Sequence, residues 1–414
     1  MEQSCTMSVP IEKNEVVVSG MGVVCSVARD VPEFRKSLRE GKDGISKLQA
    51  FSTQGMRSSY AGEIKSDFDL ESLGIRDKKP VDRASVFTLK AMREAIADSR
   101  LSITEEESSR VGISMGTCGG GYLSGFKYLT KVKQRDRGPG NLLLDLPHHT
   151  PASRIAQQLQ VHGGINIISN ACASGGIAIA NGIEYIRSGN AVIMIAGGYD
   201  TLSPLSYDGF GIMRVSSPSN RIRPFDKNRD GLLLGEGAAV LILESMEHCK
   251  RRGGMALARI LGYGITSDTY HITSPDPSGR GASKAIDAAL ADARVNVEDV
   301  DYINAHGTGT TYNDRMECMA IKKVFGERTR SIPISSTKSM IGHTIGASGA
   351  IEAVASVIAM IEGFCPPTIN YEDFDPGCDI DCVPNEAREA RIHRVVSNSF
   401  GFGGTNCSIV IGKP

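Results

Sequence analysis

The chain lacks a long apolar run, an excess of charge of either sign, and any Cys-x-x-Cys pair. Its 414 residues carry 46 Lys and Arg against 47 Asp and Glu, a net charge of −1. Nothing in that balance points to nucleic acid, and an anionic partner must find a local basic patch. No apolar stretch approaches the roughly 20 residues of a membrane helix, so no membrane insertion is expected. Residues 1–14 are mixed and polar (Glu2, Gln3, Glu12, Lys13, Asn14) and lack the apolar stretch of a signal peptide, which predicts a disordered leader. Of the ten cysteines, only Cys378 and Cys382 lie close together, and no His-x3-His stands near to complete a metal site. Reduced thiols in a cytoplasm are expected, most of them small buried hydrophobes. Neither Gly20-Met21-Gly22 nor Gly401-Phe402-Gly403-Gly404 completes a G-x-G-x-x-G turn, which excludes a dinucleotide cofactor of that type.

The composition is that of a globular enzyme: 41% hydrophobic, 22% charged, 46 glycines. The length is too great for one ordinary core and suits two fused halves. Short β-branched runs alternate with amphipathic stretches. Strands are expected at 15–19, 111–115, 165–169, 191–196, 238–243 and 258–262. Helices are expected at 85–99, 153–160, 177–187 and 282–293. This alternation predicts an α/β fold. Gly112 to Thr117 echoes Tyr302 to Thr308. The strand-turn-helix around Ile168 to Cys172 echoes that around Ile334 to Lys338, whose helix is expected at 351–361. The echoes suggest an internal duplication, drawn as 15–264 and 265–414, with chemistry at the seam.

Four segments then read together: Asn170-Ala171-Cys172-Ala173-Ser174-Gly175, Asn304-Ala305-His306-Gly307-Thr308-Gly309-Thr310, Lys338-Ser339-Met340-Ile341-Gly342-His343, and Asn398-Ser399-Phe400-Gly401-Phe402-Gly403-Gly404-Thr405-Asn406. They supply a cysteine, two histidines, a lysine and a glycine-rich turn, the parts needed to hold an acyl group on sulfur and attack it with a carbanion. Cys172 is placed at a helix start, where the dipole and free amides favour a thiolate; its own N–H can bind a developing oxyanion. His306 and His343 follow strand ends among glycines and can donate N–H bonds to a carbonyl that becomes enolate-like. Thr308 and Thr310 offer hydroxyls to a ligand. Lys338, if buried, needs a carboxylate. Asp314 and Glu352 are the candidates, and Glu352 is preferred because it lies on the helix that His343 opens. Phe400 is assigned the second oxyanion N–H and a ring that gates the pocket.

These motifs, with Arg223-Pro224-Phe225-Asp226-Lys227-Asn228-Arg229-Asp230-Gly231, Gly235-Glu236-Gly237-Ala238 and Ser267-Asp268-Thr269-Tyr270-His271-Ile272-Thr273, resemble the β-ketoacyl-acyl-carrier-protein synthases of types I and II. The resemblance runs from about Val16 to the C-terminus. It implies the thiolase fold, two duplicated halves in five αβαβα layers, and a homodimer. It assigns Cys172 as nucleophile, His306, His343 and Lys338 as its catalytic partners, and Phe400 as the gate. Thr308 and Thr310, with Thr273 and Ser274, are implied to line a pantetheine arm, and Gly119, Phe400 and Phe402 an acyl pocket. The implied partner is an acidic acyl carrier protein, with docking expected on Lys127, Lys131 and Lys133, in a charge-rich stretch that also holds Arg135 and Arg137, and on Lys78, Lys79 and Arg214, which lie near family docking positions. The implied reaction is a decarboxylative condensation with malonyl-carrier-protein, elongating the acyl chain by two carbons with no cofactor of the enzyme's own.

Gly119 stands where many type II members place a bulky apolar residue, and the His-Gly-Thr-Gly-Thr form is common in polyketide ketosynthases. A dissociated polyketide or specialised-lipid ketosynthase is therefore the nearest alternative. A non-condensing scaffold is disfavoured by the intact Cys172, His306, His343 and Lys338. A thiolase is disfavoured because Cys378, Cys382 and Cys407 lack the setting of a second catalytic cysteine.

Overall fold

The computed structural model describes residues 14–75, 81–134 and 140–414. The expected leader, apart from Asn14, lies outside the described residues, as do Lys78, Lys79, Arg135 and Arg137.

Ten strands build the main sheet. The first five are β1 (Val16–Cys25), β2 (Val111–Gly116), β3 (Ile165–Ile168), β4 (Ile193–Asp200) and β5 (Gly237–Ser245). The next five are β6 (Ala258–Ser267), β7 (Tyr302–Asn304), β8 (Ile334–Ser335), β9 (Arg394–Gly401) and β10 (Thr405–Gly412). The order is β3-β2-β4-β5-β1 in the first half and, mirrored, β8-β7-β9-β10-β6 in the second. Each half therefore orders its strands third, second, fourth, fifth, first. The second strand pairs in parallel with the third and fourth, and the fifth runs antiparallel to the fourth and first. Identical order and direction make the duplication explicit. Val16–Val18 pair with Ala258–Ile260 to join the halves. A division after residue 264 cuts through β6; the strand order puts the seam before Ala258.

The helices sort into three layers. We label α1 (Arg83–Ser99), α2 (Tyr122–Lys133), α3 (Thr150–Leu159), α4 (Ser174–Arg187), α5 (Pro204–Ile212), α6 (Arg280–Ala293), α7 (Thr311–Phe325) and α8 (Ser348–Glu362). The pair α4 and α8 touches strands of both halves; α1 and α3 cover the outer face of the first half, and α6 and α7 that of the second. The result is an α/β protein with five layers. Because α8 is walled on both sides, it is buried along nearly its whole length; α4 is buried on all but the face that carries Glu184. The stretch Ile345–Glu362 has a mean hydropathy of 1.5 and is long and apolar enough to cross a membrane, contrary to the sequence reading, but 89% of it is buried as core.

Glycine sets the approach of the outer helices. In β1, a Cβ on Gly22 would lie 2.0 Å from Ala91 O of α1; in β6, one on Gly264 would lie 2.1 Å from Ala285 O of α6. The same Gly-x-Gly against the same alanine-rich helix face recurs in both halves. Gly20 also carries a register shift between Val18 and Gly20, so β1 continues beyond Ser19, where the β-branched run stops. Upstream, α1 begins two residues earlier than its apolar pattern, because the Asp82 carboxylate accepts the Ala84 N–H at 2.8 Å.

Gly22→Val is expected to destabilise the fold by more than about 3 kcal/mol, since backbone rather than a flexible side chain must move. Gly209→Ala, on α5 with no atom within 4 Å of its Cβ, should be neutral or stabilising by up to about 1 kcal/mol. Chemical denaturation of both variants checks the pair.

Candidate active site

Cys172 sits in a single 3₁₀ turn, Ala171–Ala173, between β3 and α4. Ala171 has φ +47°, a left-handed conformation uncommon for alanine. Ser174 secures it: its hydroxyl accepts the Asn170 N–H at 2.8 Å and donates to Ala171 O at 2.6 Å. Gly401 lies flat against the turn, with room for a Cβ only 3.2 Å from the Cys172 nitrogen. The thiol is 4% exposed. Burial pushes it up to about 12, against the pull of the Lys338 ammonium and of the Phe402 N–H directed at the sulfur. The resting group is thus a neutral thiol. The thiolate expected from the helix end does not prevail, because desolvation outweighs it.

Lys338 is fully buried. Its ammonium pairs with Glu352 on α8 and donates to His306 Nδ1 at 3.2 Å. Burial raises Glu352 to about 7, with Lys338 opposing. His306 Nδ1 therefore accepts, and the ring proton of a neutral imidazole resides on Nε2. At His343 the same tautomer is imposed differently: Nδ1 accepts the Ile345 N–H at 3.1 Å, with the Ser348 hydroxyl at 3.0 Å. The two rings meet edge-on, centroids 5.4 Å apart at 85°. Burial, then the Lys338 charge, holds both well below the ordinary histidine value. Two neutral Nε2–H donors beside a buried thiol can bind a carbonyl oxygen that becomes anionic.

A ring of buried groups fixes these parts. Glu317 on α7 accepts the His306 N–H at 2.8 Å and the Gly307 N–H at 2.7 Å, one on each oxygen. Asp314 accepts the Thr308 N–H at 3.0 Å and the Phe225 N–H at 2.8 Å. Asp314 thus supports the threonine turn and is not the partner of Lys338. Thr308 and Thr310 share a hydroxyl hydrogen bond of 2.9 Å. With Thr273, Ser274 and Phe402 they line a slot of about 70 Å³ that runs to Cys172, His306 and His343. The slot closes where Asp268 N–H donates to Gly404 O at 2.8 Å and Gly403 N–H to Ile272 O at 2.7 Å. Gly403 and Gly404, with φ of +82° and +77°, make that turn without strain.

Phe400 and Phe402 exchange part of their expected roles. Phe400 ends inside β9, paired with Asn406, its buried ring 5.8 Å from His306. Phe402 lies just beyond the strand. Its amide faces the Cys172 sulfur, and its ring stacks on Phe210 of α5 at 5.7 Å. The amide turned toward the thiol is therefore that of Phe402, and the oxyanion and gating roles expected of Phe400 fit Phe402 better, because only the residue past the strand end turns its amide that way.

Gly119 does not line the slot; its N–H donates to Asp200 Oδ1 at 2.7 Å. Lys127, Lys131 and Lys133 lie on α2, and Lys127 and Lys131 border a separate cleft beside α1. Arg214 does not line the slot; it precedes Val215, which does. Sequence reasoning missed Glu317, Ser348 and the Phe402 amide. Glu317 could have been suspected as a carboxylate on the buried face of the helix that follows the His306 turn.

The sequence model of the Beta-ketoacyl synthase N-terminal domain matches residues 13–248, and that of the C-terminal domain matches residues 257–372. A 3-oxoacyl-[acyl-carrier-protein] synthase 2 of Synechocystis sp. is 40% identical over 97% of this chain and 99% of its own length. Among solved structures, the ishigamide ketosynthase/chain length factor superposes with a TM-score of 0.91 at 34% identity, covering 97% of this chain and 100% of that one. A type II polyketide ketosynthase, solved with its acyl carrier protein and bound to a hexaketide, gives 0.90 at 32% identity over the same shares.

The depressed imidazoles carry a pH signature. An unfolded histidine takes a proton below about 6.5, and the folded His306 and His343 do not. Their contribution is present above that pH and is lost as pH falls through it. Glu317 and Glu352, raised to about 7, act in the opposite sense between 4.5 and 7. Melting from pH 7.5 to 5.5 should therefore fall more steeply for the wild type than for His306→Asn/His343→Asn.

Proposed function

We propose that this chain, which belongs to the beta-ketoacyl synthase family, is the condensing enzyme of a type II fatty acid system. It joins a Cys172-bound acyl group to malonyl-acyl carrier protein with loss of CO2. The observation that carries this reading is the buried Cys172 thiol at the end of a narrow slot, beside two imidazoles held as neutral Nε2–H donors. The 3-oxoacyl-carrier synthases among its relatives support it.

The geometry accounts for both stages. In the first, the Cys172 sulfur attacks the acyl thioester while the oxyanion rests on the Cys172 and Phe402 amides. The thioester's C–S bond breaks, and the thiol proton passes to the departing pantetheine sulfur, so a neutral resting thiol suffices. In the second, the malonyl carbonyl oxygen lies on His306 and His343 Nε2–H. Its C–C bond breaks, CO2 leaves, and the electron pair remains as an enolate. That carbon attacks the acyl-Cys172 carbonyl, the Cys172 C–S bond breaks, and the sulfur takes up a proton from solvent, the one proton the overall reaction consumes. The reaction consumes no cofactor. Lys338 keeps His306 in the donor tautomer and touches no substrate, so it is a positioning residue. The slot lined by Thr273, Ser274, Thr308 and Thr310 suits an extended pantetheine arm.

The partner is an acyl carrier protein, docking on the basic residues that include Arg214, and the setting is a reducing cytoplasm. A dimer is supported by the edge position of β3 among the described strands, where Ile165 is 41% exposed. A homodimer is the simplest form; some structural relatives pair with a chain length factor instead. A polyketide ketosynthase is the second reading, favoured by those same neighbours.

Incubation with acyl- and malonyl-carrier-protein, read by mass spectrometry, tests the proposal. Acyl-Cys172 and a 3-oxoacyl product two carbons longer are expected, both abolished in Cys172→Ala. His306→Ala and His343→Ala should each lower condensation by about 10²–10⁴-fold. Neither adduct nor product from the folded wild type would overturn the reading.

A further inference from the structure

The duplication leaves a second copy of the nucleophile turn. Ile345–Ala347 is again one 3₁₀ turn, opening α8 at Ser348 as Ala171–Ala173 opens α4 at Ser174. Ile345 has φ +52° where Ala171 has +47°. Ala347 N–H returns to Thr344 O at 3.0 Å as Ala173 N–H returns to Asn170 O at 3.2 Å. Gly346 therefore stands in the second turn where Cys172 stands in the first.

That second turn is occupied by a carboxylate of the chain itself. Asp200, at the end of β4 and fully buried, accepts the Gly346 N–H at 2.7 Å on Oδ2. It also accepts the Cys118 N–H at 2.9 Å, the Gly119 N–H at 2.7 Å and the Thr117 hydroxyl at 2.8 Å. Taking two successive amides, one on each oxygen, is what Glu317 does for His306 and Gly307. The fit leaves no slack: a Cβ on Gly346 would lie 2.7 Å from both Asp200 Oδ2 and Thr117 Cα.

The Cys118–Gly119 segment lies beside the nucleophile turn, with Cys118 Sγ 4.0 Å from the Ser174 hydroxyl. The slot's apolar end, Phe210 and Leu232, is continuous with a cluster that includes Cys118, Leu202, Tyr207 and Ile345. Resting on the condensing reading, that cluster is the side on which an acyl chain lies.

We propose that Asp200 is a positioning residue for acyl-chain selection. Its carboxylate fills the anion hole of the non-reactive turn and so pins the Cys118–Gly119 wall to the turn that carries His343. Asp200→Asn keeps the shape and breaks one or two of the amide contacts. Whichever way the amide turns, its NH2 meets an amide N–H, that of Gly119 on one side or those of Cys118 and Gly346 on the other. The freed wall then collapses into the apolar cluster.

The test needs no carrier protein, so it stands apart from the condensation assay. Cys172 in the full chain is alkylated with iodoacetamide or with N-dodecyl iodoacetamide, and the labelled peptide is quantified by mass spectrometry. In Asp200→Asn the long-to-short labelling ratio should fall about threefold to tenfold, the scale of one lost hydrogen bond to a charged group. Labelling by iodoacetamide itself should hold within about twofold. Thr117→Val removes one donor and keeps the carboxylate; it should shift the ratio the same way by about twofold to threefold and serves if Asp200→Asn does not fold. A ratio that stays or rises, with only the melting temperature reduced, assigns Asp200 a purely structural role and overturns the proposal.

Discussion

A lysine ammonium with no access to water organises this site. Lys338 pairs with Glu352 and faces His306 Nδ1. Burying such a pair costs desolvation, and an apolar replacement of similar shape is often no less stable. What the pair supplies here is direction. It forces the adjacent imidazole to accept on Nδ1 and to present its proton on Nε2. It also ties the two histidine turns together, because Glu352 lies on α8, which starts five residues after His343. The neutral rings, the resting thiol and the closed slot all depend on the dryness that makes this pair strong.

The two halves share an architecture and differ in their turns. In one, the residue at the centre of the 3₁₀ turn is a cysteine with its amide beside a slot. In the other it is a glycine whose amide is taken by Asp200. One anion hole is open to substrate, and the other is closed by the chain's own carboxylate. The helices that open at these turns, α4 and α8, lie side by side between the sheets. Motion at either turn is therefore transmitted through packed backbone rather than through solvent-exposed loops.

Much of this was legible in the sequence. The β-branched runs located most strands to within a few residues, and the repeated strand-turn-helix motif announced the duplication. Cys172, His306 and His343 stood out because small residues crowd around them, a local signal. The Lys338–Glu352 pair followed from helix geometry. Other features depend on partners far along the chain. Asp200 and Gly346 are 146 residues apart, and no local pattern links them. Asp314 remained a candidate beside the preferred Glu352 until the folding of α7 placed it under the threonine turn. Phe400 and Phe402 are two residues apart in one glycine-rich motif. Which amide faces the thiol depends on β9 ending at Gly401, a boundary that neither residue encodes alone. The state of the thiol was misread for a similar reason: the helix end is visible in sequence, and the competing burial is not.

The central claim is the protonation state of the two histidines, and it can be observed directly. Nitrogen-15 NMR of imidazole-labelled protein, assigned with His306→Asn and His343→Asn, distinguishes the two neutral tautomers and the cation. The account predicts that both rings are neutral and protonated on Nε2 at pH 7. An imidazolium at either position, or a proton on Nδ1 of His306, would contradict it.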